Sequence, residues 1–125
     1  MRHALVLAVC IAICGCSAAV LECADRVEGS QFQATYVYGV EVDALHPCGE
    51  SEPSWASYNW EGAELLSFYK SETTRPYQPI YIEFRGAYLA EEMDGFASSY
   101  AGLLHILEIE KMSLEVPEAC HSAAL

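Results

Sequence analysis

Two pairs of residues invite a reading as chemistry. His46-Pro47-Cys48 and Cys120-His121 together supply two imidazoles and two thiols. Reduced and brought together, such a set ligates zinc or copper tetrahedrally. Oxidised, the same two cysteines form a bridge and the metal reading is lost. The spacing matches no zinc-ribbon pattern, so the metal-binding assignment to His46, Cys48, Cys120 and His121 is the alternative and the bridge is the expectation. His105 sits among apolar neighbours in an alternating segment. It is expected to be a hydrogen-bonded, half-buried residue and no ligand.

A third cysteine carries a different chemistry. Ala4 to Ile13 is an uninterrupted apolar run of ten after a weakly basic Met1-Arg2-His3. That is half of what a spanning helix needs, about 20 residues, and it matches the apolar region of a secretory signal. Ile13-Cys14-Gly15-Cys16 follows and resembles a bacterial lipobox. The resemblance implies a cut after Gly15 and lipidation of Cys16 by diacylglyceryl and N-acyl chains. Two or more chains anchor a protein stably, at about 0.8 kcal/mol per buried CH₂. Ser17 in place of Asp resembles the outer-membrane default. A competing cut at Ser17-Ala18-Ala19 would release a soluble chain beginning at Val20.

An exported chain folds in an oxidising compartment, where bridges persist. Once Cys10 and Cys14 leave with the signal and Cys16 takes lipid, Cys23, Cys48 and Cys120 remain. Cys48 and Cys120 flank the expected folded unit, and their pairing is expected; Cys23–Cys48 is the alternative.

Acid–base catalysis needs two carboxyls held apart in a pocket with separated pKa values. Glu91-Glu92 and Asp94 are adjacent loop residues and read as solvated. No Gly-x-Ser-x-Gly, His-Glu-x-x-His, phosphate loop or Cys-x-x-Cys occurs, nor an Asp-x-Asp-x-Asn-Gly calcium loop. The chain is therefore read as non-enzymatic, with no cofactor. With 18 acidic and 6 basic residues its net charge is −12, which disfavours nucleic acid because phosphate binding needs clustered Lys and Arg. Trp55, Tyr58 and Trp60 are the candidate ligand contacts, as strand aromatics that, with Tyr36 and Tyr38 on the first strand, could stack on a glycan or peptide; core packing and cross-strand pairing are the favoured account of them.

The elements that must position these residues follow from periodicity. At 125 residues one domain is expected, and 53% hydrophobic residues exclude a disordered chain. Phe32 to Leu45 alternates, with Phe32, Ala34, Tyr36, Tyr38, Val40 and Val42 on one face and Asp43 on the other. This predicts one long strand bent at Gly39. Trp55 to Trp60 predicts a short strand with Ala56, Tyr58 and Trp60 on one face. Gly62 to Thr74 switches to helical spacing and is stopped by Pro76 and Pro79. Gln78 to Leu89 and Leu103 to Ser113 alternate again, with Gly86 a predicted bulge and residues 90–102 a loop.

The expected fold class is mainly β: a small OB-like β-barrel of four to five antiparallel strands with one helix, after an N-terminal signal segment. Residues 1–15 are the expected signal peptide, 16–30 a lipid-anchored tether, 31–121 the barrel and 122–125 a tail.

The stretches Gly39-Val-Glu-Val, Pro47-Cys48-Gly49, Trp55, Pro76-Tyr-Gln-Pro-Ile-Tyr-Ile-Glu-Phe-Arg-Gly86, Asp94-Gly-Phe-Ala, Tyr100-Ala-Gly-Leu and Ile109-Glu-Lys-Met112 resemble small bacterial envelope lipoproteins. Over about residues 32–113 their domain is similar to the C-terminal OB-like domain of NlpE-type copper-homeostasis and envelope-stress lipoproteins. The resemblance implies a tethered barrel in the cell envelope, facing the periplasm from the outer membrane, and a binding or sensing role in envelope stress, metal homeostasis or adhesion. No Cys-x-x-Cys motif occurs here, and no copper ligands are carried over. The expected partners are the membrane, through the lipid anchor, and a protein or glycan. Inhibition of an envelope hydrolase is a further alternative.

Overall fold

Two residues, Val40 and Glu41, decide the start of the fold. A computed structural model describes residues 28–121. The expected signal, Cys16, Cys23, most of the tether and the tail at 122–125 lie outside the described residues. Within them the expected single bent strand is a hairpin. β1 (Ser30–Gly39) and β2 (Val42–Pro47) pair antiparallel, and the Gly39–Val42 pair closes the two-residue turn. Glu41 sits at φ 64, the left-handed conformation that a tight turn demands of one of its residues.

The turn changes which face each side chain takes. In β1 the expected inward set is correct: Ala34 and Tyr36 are fully buried, with Phe32 and Tyr38 packed at the core's margin. In β2 the expectation is reversed. Leu45 is fully buried and Asp43 points inward with it, while Val40 stands 76% exposed at the tip. A period of two carried through residues 40 and 41 ignores that a reversing chain restarts its alternation.

β3 (Ser54–Ser57) is shorter than the expected 55–60 strand. The chain leaves the sheet after Ser57 and enters α1 (Glu61–Glu72), close to the expected 62–74. Glu61 and Glu64 lie in its first turn and Lys70 in its last, which suits the helix dipole. Gly62, Leu65 and Tyr69 form its buried face. Thr73 ends it, with both its backbone N–H and its hydroxyl donating to the Tyr69 carbonyl.

β4 (Ile80–Leu89) and β5 (Leu103–Ser113) complete the sheet. The strands close into a barrel in the order β1-β2-β3-β5-β4, with β4 returning to β1. The expected antiparallel pairing holds at every contact except β3–β5, which is parallel. Among the described residues the fold is a mainly β, closed five-stranded barrel with one α-helix, consistent with a small OB-like barrel. A 3₁₀ turn, Gly95–Ser99, lies in the expected 90–102 loop, and a second, Glu118–Cys120, follows β5.

Irregular register between Glu83 and Phe84 and between Arg85 and Gly86 confirms the bulge expected at Gly86. It also shifts the partner strand. Leu104 and Ile106 are fully buried, and past the irregularity Ile109 also packs against the core. Around the barrel axis, Tyr36, Leu45, Ile80, Ile82, Phe84 and Ile106 are fully buried, and α1 caps one end through Leu65 and Tyr69. Tyr81, expected on the polar face, is buried as well; its hydroxyl donates to Glu83 and Lys111 lies over its ring.

Candidate functional site

The barrel end capped by α1 holds the polar and aromatic groups of interest. Asp43 on β2 accepts a hydrogen bond from the Tyr36 hydroxyl on β1 (2.7 Å) at Oδ1. Its Oδ2 accepts one from the Tyr58 hydroxyl, just before α1, at 2.5 Å. Burial raises the Asp43 carboxyl above its usual range, and the two phenol donors counter only part of that. Burial and then the Asp43 charge raise the Tyr36 phenol. Burial and then the hydrogen bond to Asp43 raise that of Tyr58. Both tyrosines therefore stay neutral and can donate, as a charged acceptor requires. With each carboxylate oxygen already taken by a phenol, the triad ties β1, β2 and the entry of α1 together. Tyr58 reaches Asp43 because residue 62 is glycine: a Cβ there would lie 2.0 Å from the Tyr58 ring.

Beside the triad, on the outer side of the same end, lies a cleft of about 320 Å³. Tyr38, Gly39 and Val40 form its hairpin side; Tyr69, Lys70 and Thr73 its helix side; Arg75, Pro76 and Tyr77 its floor. The Tyr36 and Tyr38 rings each meet Tyr69 edge to face, at 5.6 and 6.2 Å between centroids. Tyr69 is held in turn by its hydroxyl, which donates to the Gln78 carbonyl at 2.7 Å. Lys70 Nζ lies 5.5 Å from the Tyr38 centroid.

Tyr77 is the unusual residue of the cleft. Its φ is 56°, a left-handed conformation that a bulky side chain rarely adopts. Its ring lies directly on Gly39, where an added Cβ would come within 2.2 Å of it, and its hydroxyl donates to the Val40 carbonyl at 3.3 Å. So positioned, Tyr77 remains 48% exposed. The lining carries two cations and no Asp, Glu, Asn or Gln. Among the described residues the ion pair found is Arg85–Glu108 at 3.6 Å, so Lys70 and Arg75 face the cleft without a carboxylate partner.

Of the aromatics that could form a stacking platform, Tyr38 lines the cleft, whereas Trp55, Tyr58 and Trp60 stand apart from one another. Trp55 is half-buried on the outer face of β3, edge-on to Tyr100 at 5.2 Å. Tyr58 turns inward to Asp43. Trp60 stands at the start of α1, 89% exposed, because the helix begins where the strand was expected to continue. The aromatics that do converge are Tyr38, Tyr69 and Tyr77. Tyr38 and Tyr69 carried a sequence signal as members of buried periodic faces. Tyr77 carried none, lying between two prolines in a connection.

The far end of the barrel holds the expected bridge. Cys48 and Cys120 are joined, 72 residues apart in sequence. His46 Nε2 lies 2.7 Å from the Glu50 carbonyl, and His121 is exposed. Both thiols of the alternative metal set are thus in the bridge, and among the described residues no group of three or more His, Cys, Asp or Glu stands close enough to hold a metal. His105 is half-buried and shares a 2.9 Å hydrogen bond with the Ser57 hydroxyl, as expected. Among the described residues no helix is long and apolar enough to cross a membrane.

Comparison with protein-family models, with curated proteins and with solved structures finds no match for the chain.

Proposed function

We propose that this protein is a non-enzymatic lipoprotein of the bacterial cell envelope, anchored through Cys16, whose barrel binds a partner by contact. The observation that carries the reading is the place of the aromatic cleft. β1 leads away from the tether at Ser30 and reaches the cleft at Gly39, nine residues on. At about 3.3 Å per residue that is roughly 30 Å of strand. A barrel held to a membrane by its N-terminal side would present the Tyr38–Tyr69–Tyr77 cleft outward. The bridge supports export, since such pairs persist in oxidising compartments. Envelope-stress sensing is the role that the NlpE-type resemblance implies, and it too requires contact with a partner.

Fractionation and mass spectrometry test the anchor. The mature chain is expected to begin at Cys16, to carry acyl chains and to sediment with membranes, and Cys16→Ser is expected to abolish both acylation and sedimentation. An unacylated chain beginning at Val20, or a Cys16→Ser protein still held by membranes, would overturn the reading.

A further inference from the structure

Three features of the cleft, taken together, select its ligand. The molecule is strongly acidic, with 18 carboxylates against 6 Lys and Arg, yet two of those six cations line this one depression. Among the described residues no carboxylate or amide side chain lines it, so it offers few of the acceptors with which sugar hydroxyls are held. Its walls are instead the rings of Tyr38, Tyr69 and Tyr77 with Pro76 and Val40, the last two open to solvent. A volume of about 320 Å³ is at the small end for ligand cavities. It suits the last residue or two of a chain and not a long segment.

We propose that the cleft captures the C-terminal end of a peptide whose last residue is apolar. Lys70 and Arg75 receive the terminal carboxylate, and Tyr77, Tyr38 and Pro76 receive the last side chain. This rests on the binding-module reading above and adds to it the chemistry of the partner. The cations are matched to a single anionic group beside an apolar body, and charge-assisted hydrogen bonds from Arg and Lys are the strong kind. Tyr77 is fixed before the ligand arrives. Its left-handed backbone, rare for a bulky side chain, places a half-exposed ring against Gly39. A wall already in place loses little freedom on binding.

Calorimetric titration of the full mature chain with N-acetyl-Ala-Ala-Leu-Phe, as the free acid and as the C-terminal amide, tests the proposal. The acid is expected to bind, to weaken with added salt, and to exceed the amide on the order of tenfold. Lys70→Gln and Arg75→Gln, both at exposed positions, are expected to bring the acid down to the level of the amide. Gly39→Ala, which displaces Tyr77, is expected to weaken both forms. Equal binding of acid and amide, or a difference that survives both Gln variants, overturns the proposal. Binding of benzoate or a uronic-acid oligosaccharide, lost in Tyr77→Ala, with no binding of either peptide, overturns the peptide assignment and leaves the binding module standing. If no probe binds, the inference falls, and fractionation of Cys16→Ser decides the anchor separately.

Discussion

Asp43 is the residue on which the helix-capped end turns. Both of its oxygens accept from phenols, and burial holds its carboxyl above the ordinary range. Asp43→Ala leaves two buried hydroxyls without their acceptor, at about 2 kcal/mol by the usual cost of orphaned polar groups. A lowered urea midpoint at an unchanged m-value would report it. The pH dependence has a sign opposite to that of a salt-bridged carboxylate. Burial in the fold raises this carboxyl above its ordinary value of 3.8, so the folded state holds the proton more tightly than the unfolded one. Its contribution is complete below pH 3.8 and is lost as pH rises through the raised, folded-state pKa. The other carboxylates add their own repulsion as they ionise, so the informative quantity is a difference. Asp43→Asn is expected to flatten the fall in melting temperature across that window relative to the native chain. A parallel curve would show that Asp43 does not titrate differently on folding.

At the scale of elements, two opposing magnitudes meet at Gly62. Glycine near the start of α1 costs about 1 kcal/mol of helix propensity against alanine. A methyl there would meet the Tyr58 ring at 2.0 Å, and forcing such a side chain aside typically costs about 1–3 kcal/mol. Gly62→Ala is therefore expected to destabilise by up to about 2 kcal/mol, measured by thermal unfolding. Stabilisation would mean that Tyr58 swings away without loss. The limits of what the sequence discloses lie at similar junctions. Ile80, Ile82 and Phe84, Leu104 and Ile106, and Leu65 with Tyr69 all repeat at their element's period, so strand, strand and helix were legible. The period failed where the chain reverses or slips: at Val40–Glu41, which turned Asp43 inward, and past Gly86, which brought Ile109 to the core. The cleft was illegible for the same reason. Its floor, Arg75 to Tyr77, belongs to no periodic element, and Tyr77 takes its place through a backbone conformation that residue type does not announce. The bridge was legible because Cys48 and Cys120 flank the periodic segments of the expected folded unit.

At the scale of the whole molecule, the two ends of the barrel are held by different means. The capped end relies on Tyr36, Asp43, Tyr58 and Tyr69. At the other end, the 3₁₀ turn Glu118–Cys120 is fastened to the β2 terminus by the bridge, and Cys48 N–H donates to the Gln33 carbonyl of β1 at 2.8 Å. Closing a loop across 72 residues removes unfolded-state entropy worth about 4 kcal/mol on the chain-entropy model. Cys120→Ser is expected to lower the unfolding free energy by that amount or somewhat less. A change below about 1 kcal/mol would show that the unfolded chain stays compact without the bridge. Closure of the sheet carries a consequence of its own. Because β4 returns to β1, every described strand has a neighbour on both sides, and the amides left open are confined to the flank of β5 beyond His105, which the short β3 does not cover, and to the ends of β2. Packed densely side by side, such molecules offer a growing fibre one partial flank and no full outer strand as a template.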